Sequence, residues 1–203
     1  RVGRAQTDEN IRTAPAYATR IRDAVYYPEV KTFRDAYRVL SHPMLPSKTK
    51  ETAFQILNRT IWTNNKAFKS GIADSPNCKY CNQVETMEHL LLQCENYSEL
   101  VWSRLGEALT LTLRMISGAD IARIELTPLH IIFNKPHTAI LTYAQDTTSR
   151  NVILRIVQEV KRDIIYRKYN MPYHPPDPVH PIRINAHLSS VIKSTFSLLK
   201  YQG

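Results

Sequence analysis

The chain has 203 residues, 43% of them apolar, which is enough for one sizeable domain or two small ones with a real core. Its formal charge is +9, from 27 Lys+Arg against 18 Asp+Glu, which points toward a polyanionic partner or a plainly solvated basic surface. No apolar run approaches the length of a membrane span, and the three cysteines are too few and too odd in number for a disulfide framework.

The start, Arg1-Val2-Gly3-Arg4, carries neither Met nor an apolar signal region, so the chain reads as an internal or C-terminal piece of something longer, or as a processed product. Residues 1–47 hold 8 positive and 5 negative groups, residues 48–149 hold 10 of each, and residues 150–203 hold 9 and 3. The basic excess therefore sits in the two flanks. With every cysteine inside one short stretch, a reducing compartment, nuclear or cytoplasmic, is expected.

Taken in chain order, the stretch from Val30 to Leu40 places Phe33, Tyr37 and Leu40 on one helical face, and Ser41-His42-Pro43 breaks it. A second helix is expected over about Lys48 to Thr60, with Phe54, Leu57 and Ile61 as its apolar face. A short helix from Asn64 to Ser70 should end at Gly71. Thr86 is a plausible N-cap for a helix carrying Met87 to Gln93. Ser98 is expected to cap the next, which would bury Val101, Trp102, Leu105 and Leu109. Residues 111–149 give little periodicity; Pro128 to Phe133 suggests a short strand or a buried loop. A long helix follows from about Thr148 to Lys168, with Ile153, Ile156, Val157, Val160 and Ile164 as its stripe and Arg155, Lys161 and Arg162 off it. Met171 to Pro181 is Pro-rich loop, and Leu188 to Leu199 a last short helix. The fold class expected is mostly α: a helical domain with one zinc knuckle in a loop and at most a minor β element near 123–134. The segments expected are a basic N-terminal region (1–44), a knuckle domain (45–110), a helical extension (111–170) and a Pro-rich loop with C-terminal helix (171–203).

One constellation carries chemistry. Cys78-x2-Cys81-x7-His89-x4-Cys94 gathers all three cysteines and one histidine at ligand spacing. Zinc takes such donors in a tetrahedron, and a Cys-x2-Cys turn delivers two thiolates to one ion. Four protein ligands leave no open coordination position, so a single structural Zn2+ is expected rather than a catalytic one. The bland alternative, free core cysteines and a surface histidine, does not explain why all of them cluster. The remaining histidines (His42, His130, His137, His174, His180, His187) are scattered and read as surface or loop residues.

The flanks of these ligands, Leu45-Pro46-Ser47-Lys48, Phe54, Leu57, Trp62-Thr63, Gly71-Ile72, Glu85-Thr86, His89-Leu90 and Val101-Trp102, bear a family resemblance. With a weaker match from Leu126 to Asn170, the chain resembles, over about residues 45–170, the zinc-binding segment that follows the reverse transcriptase domain in LINE-type (non-LTR) retrotransposon polyproteins. The resemblance implies an accessory module that binds RNA and/or target DNA during target-primed reverse transcription, beside the reverse transcriptase domain of the same polyprotein, and no membrane. It does not extend to catalysis: no adjacent Asp-Asp pair is present, and no acidic residue follows Asp177 to complete a nuclease motif. Candidate nucleic-acid contacts are Lys66, Lys69, Lys79 and Tyr80 near the knuckle, and Arg155, Lys161, Arg162, Arg167 and Lys168 on the long helix. For Tyr80 the competing use is packing over the metal cluster. The alternative function is a zinc-stapled structural module that docks on a polymerase or another protein.

Overall fold

The computed structural model describes residues 33–170 and Ser189. Among these residues the regular structure is helical, with one isolated β-bridge between Asn77 and Val84. The elements are α1 (Phe33–Arg38), a 3-10 turn (Val39–Ser41), α2 (Ser47–Leu57), α3 (Asn64–Lys69), a π-helical turn (His89–Gln93), α4 (Ser98–Ser117), α5 (Pro128–Ile131), α6 (Thr138–Tyr143) and α7 (Thr147–Asn170). The loop expected at Met171 to Pro181 lies outside the described residues, as do the expected helix Leu188 to Leu199 except Ser189, and residues 1–32. No described helix is long and apolar enough to cross a membrane.

Helix α2 buries Thr49, Ala53, Ile56 and Leu57 against α7, and the Thr49 hydroxyl donates to Glu159 Oε1 at 2.8 Å. Its face is rotated from the one expected: Phe54 is 50% exposed, whereas Leu57 and Ile61 are buried. The helix also stops earlier than expected. Asn58 Nδ2 donates back to the Phe54 carbonyl at 2.8 Å, and Arg59 takes a left-handed φ of 58°, which turns the chain away. Helix α3 ends as its sequence suggests. Gly71 has φ 70°, its N–H meets the Phe68 carbonyl, and the Ile72 N–H meets the Ala67 carbonyl, a Schellman closure that only a residue without Cβ forms without strain.

Helix α4 buries Val101, Trp102, Leu105 and Leu109 as expected, and continues to Leu113. Leu105 and Leu113 are fully enclosed, each stabilising the fold by about 1.5–3 kcal/mol. The helix runs unbroken across residue 110, and the apolar core it belongs to extends from Ala36 to Ile165. The knuckle region and the helical extension thus share one core.

No strand forms over 123–134. Residues 121–127 run across α4 as an irregular strap whose polar backbone groups are met by helix side chains. Ile124 N–H donates to Thr110 Oγ1 at 2.8 Å, and Arg114 Nε donates to the Ile121 carbonyl at 2.9 Å. With its hydrogen bonds spent on α4, the strap needs no partner strand. It then enters α5, where Pro128 occupies the first turn and Thr127 and His130 form a capping box. At the crossing, a Cβ on Gly106 would lie 2.2 Å from the Ile124 carbonyl oxygen, so the strap can approach this closely only over glycine.

Helix α7 starts with Asp146 capping Ser149 N–H at 2.7 Å, and its stripe Ile153, Ile156, Val157, Val160 and Ile164 is buried as expected. One residue placed off the stripe is not outside. Lys161 is 1% exposed. Its Nζ donates to Asn134 Oδ1 and, at 3.1 Å, to Gln158 Oε1. Asn134 adopts a left-handed φ of 59° and donates to the Ala36 carbonyl at 2.9 Å, so one amide ties α1, the loop before α6, and α7 together. Burial pushes the Lys161 ammonium down to about 7. A neutral amine has two N–H donors, and the two acceptors match them.

Two outcomes follow from these contacts. Gly106→Ala should cost about 2–3 kcal/mol in denaturant unfolding, because the strap must lift from α4. Lys161 is charged in the unfolded chain up to its ordinary value of 10.5 but loses its proton in the fold near 7. The unfolded state therefore binds more protons between those limits, and stability should rise with pH there and be flat in this respect below about 7. Lys161→Met should abolish that slope, measured as unfolding free energy from pH 7 to pH 10.

Candidate metal centre

The first two donors sit in a tight turn. Cys78 N–H donates to the Gln83 carbonyl at 2.7 Å, Asn82 N–H returns to the Cys78 carbonyl at 2.9 Å, and Asn82 takes φ 63°. The Asn77–Val84 bridge closes the base of this loop. Tyr80 N–H points at Cys78 Sγ at 3.4 Å, the kind of amide contact that steadies a thiolate.

The other two donors come from the turn that follows. Thr86 Oγ1 accepts His89 N–H at 3.0 Å, which makes Thr86 the cap that its position suggests. From His89 to Gln93 the backbone widens into a π turn. On an ordinary α-helix at roughly 100° per residue, residues five apart diverge by about 140°. The wider turn brings His89 and Cys94 back to one side, and such turns recur at functional sites for this reason. Ser98, expected to cap α4, instead accepts Cys94 N–H at 3.1 Å with its hydroxyl, while Tyr97 occupies the cap position without a side-chain bond.

The donor atoms of Cys78, Cys81, His89 and Cys94 all lie within 4.8 Å of one another. Cys78 Sγ and Cys94 Sγ are 3.9 Å apart, and Cys81 Sγ and His89 Nε2 are 3.1 Å apart. A zinc tetrahedron with Zn–S near 2.3 Å has edges of about 3.7 Å, so the donor set fits the ion. Cys78, His89 and Cys94 are buried and Cys81 is half-buried, leaving little access for solvent. Without the cation the thiols must share protons: the hydrogen bond from Cys94 pulls the Cys78 thiol down, and the same bond pushes Cys94 up.

Residues around the donors lock them to the core. Glu85 is fully buried and accepts Asn64 N–H, at the start of α3, at 2.7 Å. Asn64 Nδ2 donates to the Asn77 carbonyl at 2.7 Å, so α3 is fastened to both ends of the cysteine loop. Trp102 Nε1 donates to the Leu91 carbonyl at 2.6 Å, which pins the π turn to α4. The positioning roles of Asn64 and Glu85 had no periodicity to announce them. Trp102 was legible as a core residue but not as a hydrogen-bond donor.

The expected nucleic-acid contacts scatter. Lys69 is exposed on α3. Lys66 is half-buried and its Nζ donates to the carbonyls of Arg59 and Ile61 at 2.7 and 2.9 Å; burial lowers its pKa. The Lys79 ammonium lies 5.1 Å from the Tyr80 ring centroid, and half-buried Tyr80 stacks on buried Tyr97 at 5.1 Å. Arg155 is half-buried, and Arg162 pairs with Glu159 at 2.8 Å. Lys161 belongs to the interior, so it is withdrawn as a contact. Arg167 and Lys168 lie on α7, with side chains outside the described set.

Residues 26–102 match the family model described as zinc-binding in reverse transcriptase. The match contains all four donors, the Glu85-Thr86 pair, and ends on Trp102. No curated protein and no solved structure matches the chain. The match covers less than half of the chain, and with the donor geometry it supports one structural zinc in this segment.

Cys78→Ser should abolish stoichiometric zinc in elemental analysis of the purified chain. It should also lower the melting temperature by roughly 10 °C, because a metal bound only in the folded state contributes its binding energy to folding.

Proposed function

We propose that the chain is the non-catalytic zinc-binding module of a LINE-type (non-LTR) retrotransposon reverse transcriptase protein, and that it binds RNA or target DNA during target-primed reverse transcription. The observation that carries this reading is the zinc-binding family match over the segment holding the Cys3His cluster. Its partners are then nucleic acid and the polymerase domain of the same polyprotein. Four protein donors fill the coordination shell, so the ion holds shape and activates no water.

The surface that supports nucleic-acid binding differs from the one that charge counting favours. On α7, Lys161 is inside and Arg162 is paired. Around α2 and α3, Lys48, Lys50 and Lys69 face one acidic residue, Glu51, although the central half of the chain is neutral as a whole. The same stretch exposes Phe54, Trp62 and Phe68 at 50%, 44% and 46%. Trp62 stands between buried Ile61 and buried Thr63 in extended chain, so it faces out where its neighbours face in. Exposed aromatics with lysines among them suit unpaired bases and their phosphates, and single-stranded or structured RNA is the first choice.

Fluorescence polarisation with labelled RNA and DNA across a salt series tests this. About three phosphate contacts give a slope near −2 in log affinity against log salt on single strands. Phe68→Ala with Lys69→Glu should weaken binding at least about tenfold, at ~1–3 kcal/mol for a stacked base, and Lys161→Met should leave it unchanged. Absence of binding at ~50 mM salt would reject the reading.

A further inference from the structure

A groove of ≈ 550 Å³ opens directly beside the metal centre, and the nucleic-acid reading makes no use of it. Its walls come from three places. The chain just before and within the π turn supplies Glu88 and Leu92, the first turns of α4 supply Glu99 and Trp102, and the strap with α5 supplies Glu125 and Ile131. Half-buried Leu92, Leu126 and Pro128 line it above buried Trp102 and Ile131, so part of its floor is apolar. The rim is acidic. Three carboxylates line the groove against one guanidinium, that of Arg123, a net of −2 in a chain of +9. Arg123 is held to α4 by Glu107 at 3.1 Å and by Ser103 Oγ at 2.7 Å. Glu88 is 3.5 Å from Arg59. Glu99 and Glu125 are exposed, and no ion pair among the described residues holds them.

A phosphate backbone is repelled by this rim, and a purely apolar peptide would leave the carboxylates without partners. We infer that the groove docks a segment of a partner protein that presents apolar side chains flanked by lysine or arginine. The apolar side chains pack on Leu92, Leu126 and Pro128, and the flanking cations meet Glu99 and Glu125. Such central apolar anchors with a charged surround are how compact protein interfaces divide their labour. The ligand turn, α4 and the strap form the walls, so the turn that carries His89 supplies one of them. This surface is separate from the α2–α3 face and does not depend on nucleic-acid binding there.

The experiment uses the zinc-loaded full chain and a synthetic amphipathic Leu/Lys peptide, with its Leu/Glu counterpart, in calorimetry at ~150 mM salt, where exposed charges are largely screened. The Leu/Lys peptide should bind one per chain and the Leu/Glu peptide should not. Glu99→Lys with Glu125→Lys should weaken binding at least about tenfold. Gln93→Trp, an exposed lining position, should do the same by filling the mouth without altering charge. Zinc content and melting temperature report that each variant still folds. Equal binding of both peptides, retained affinity in either variant, or competition by a labelled oligonucleotide would overturn the assignment. RNA polarisation on the same variants should be unchanged, so failure here and failure of the nucleic-acid reading are told apart.

Discussion

Three thiolates and an imidazole cannot occupy so small a volume on their own terms. With donor atoms all inside 4.8 Å, the sulfurs must either keep protons and pack poorly or give them up and repel. A dication resolves the conflict, and the rest of the molecule is arranged to make that resolution geometrically possible. The cysteine loop is closed by its own backbone bonds and by Asn64. The π turn swings His89 and Cys94 to one side, and Ser98 receives the amide of Cys94. Each of these contacts is local, but their partners Glu85, Leu91 and Trp102 reach into the common core. The metal centre is therefore a part of the hydrophobic packing and not an appendage to it.

What was legible in the sequence follows this division. The donors could be read because metal spacing is a covalent constraint, visible along the chain. Helix α7 and the buried face of α4 could be read because a period of 3.6 residues survives in any sequence that buries one face. The Gly71 stop was legible because a left-handed residue selects glycine. The failures have a shared cause. Phe54 looked like core and is exposed, and Lys161 looked like surface and is enclosed. In both, the deciding factor is a neighbour distant in sequence: α7 against α2, and Asn134 beneath Lys161. Near 123–134 a minor β element was expected, with Pro128 to Phe133 a short strand or a buried loop, and the strap and α5 stand there instead. Thr110 and Arg114 of α4 supply the hydrogen bonds a second strand would have supplied, which no pattern within the strap reveals.

Charge shows the same dependence on placement. Summed by segment, the basic excess belongs to the flanks. Placed in space, part of it becomes interior or is neutralised, and the groove beside the metal is acidic. The module thus offers surfaces of opposite sign, and a single ion holds the wall of one and fastens, through Glu85 and Asn64, the helix that carries part of the other.

The run of α4 from the last cysteine into the core has a wider consequence. Ser98, its first residue, holds the amide of a metal ligand, and Leu113, near its far end, is fully enclosed. A helix is stiff along its axis, so release of the ion loosens one end of a rod whose other end is the centre of the fold. Chain in a zinc-starved cell would spend more of its time open, and proteases remove open chain first. The abundance of the protein, and not only its shape, is then indexed to the supply of one trace element.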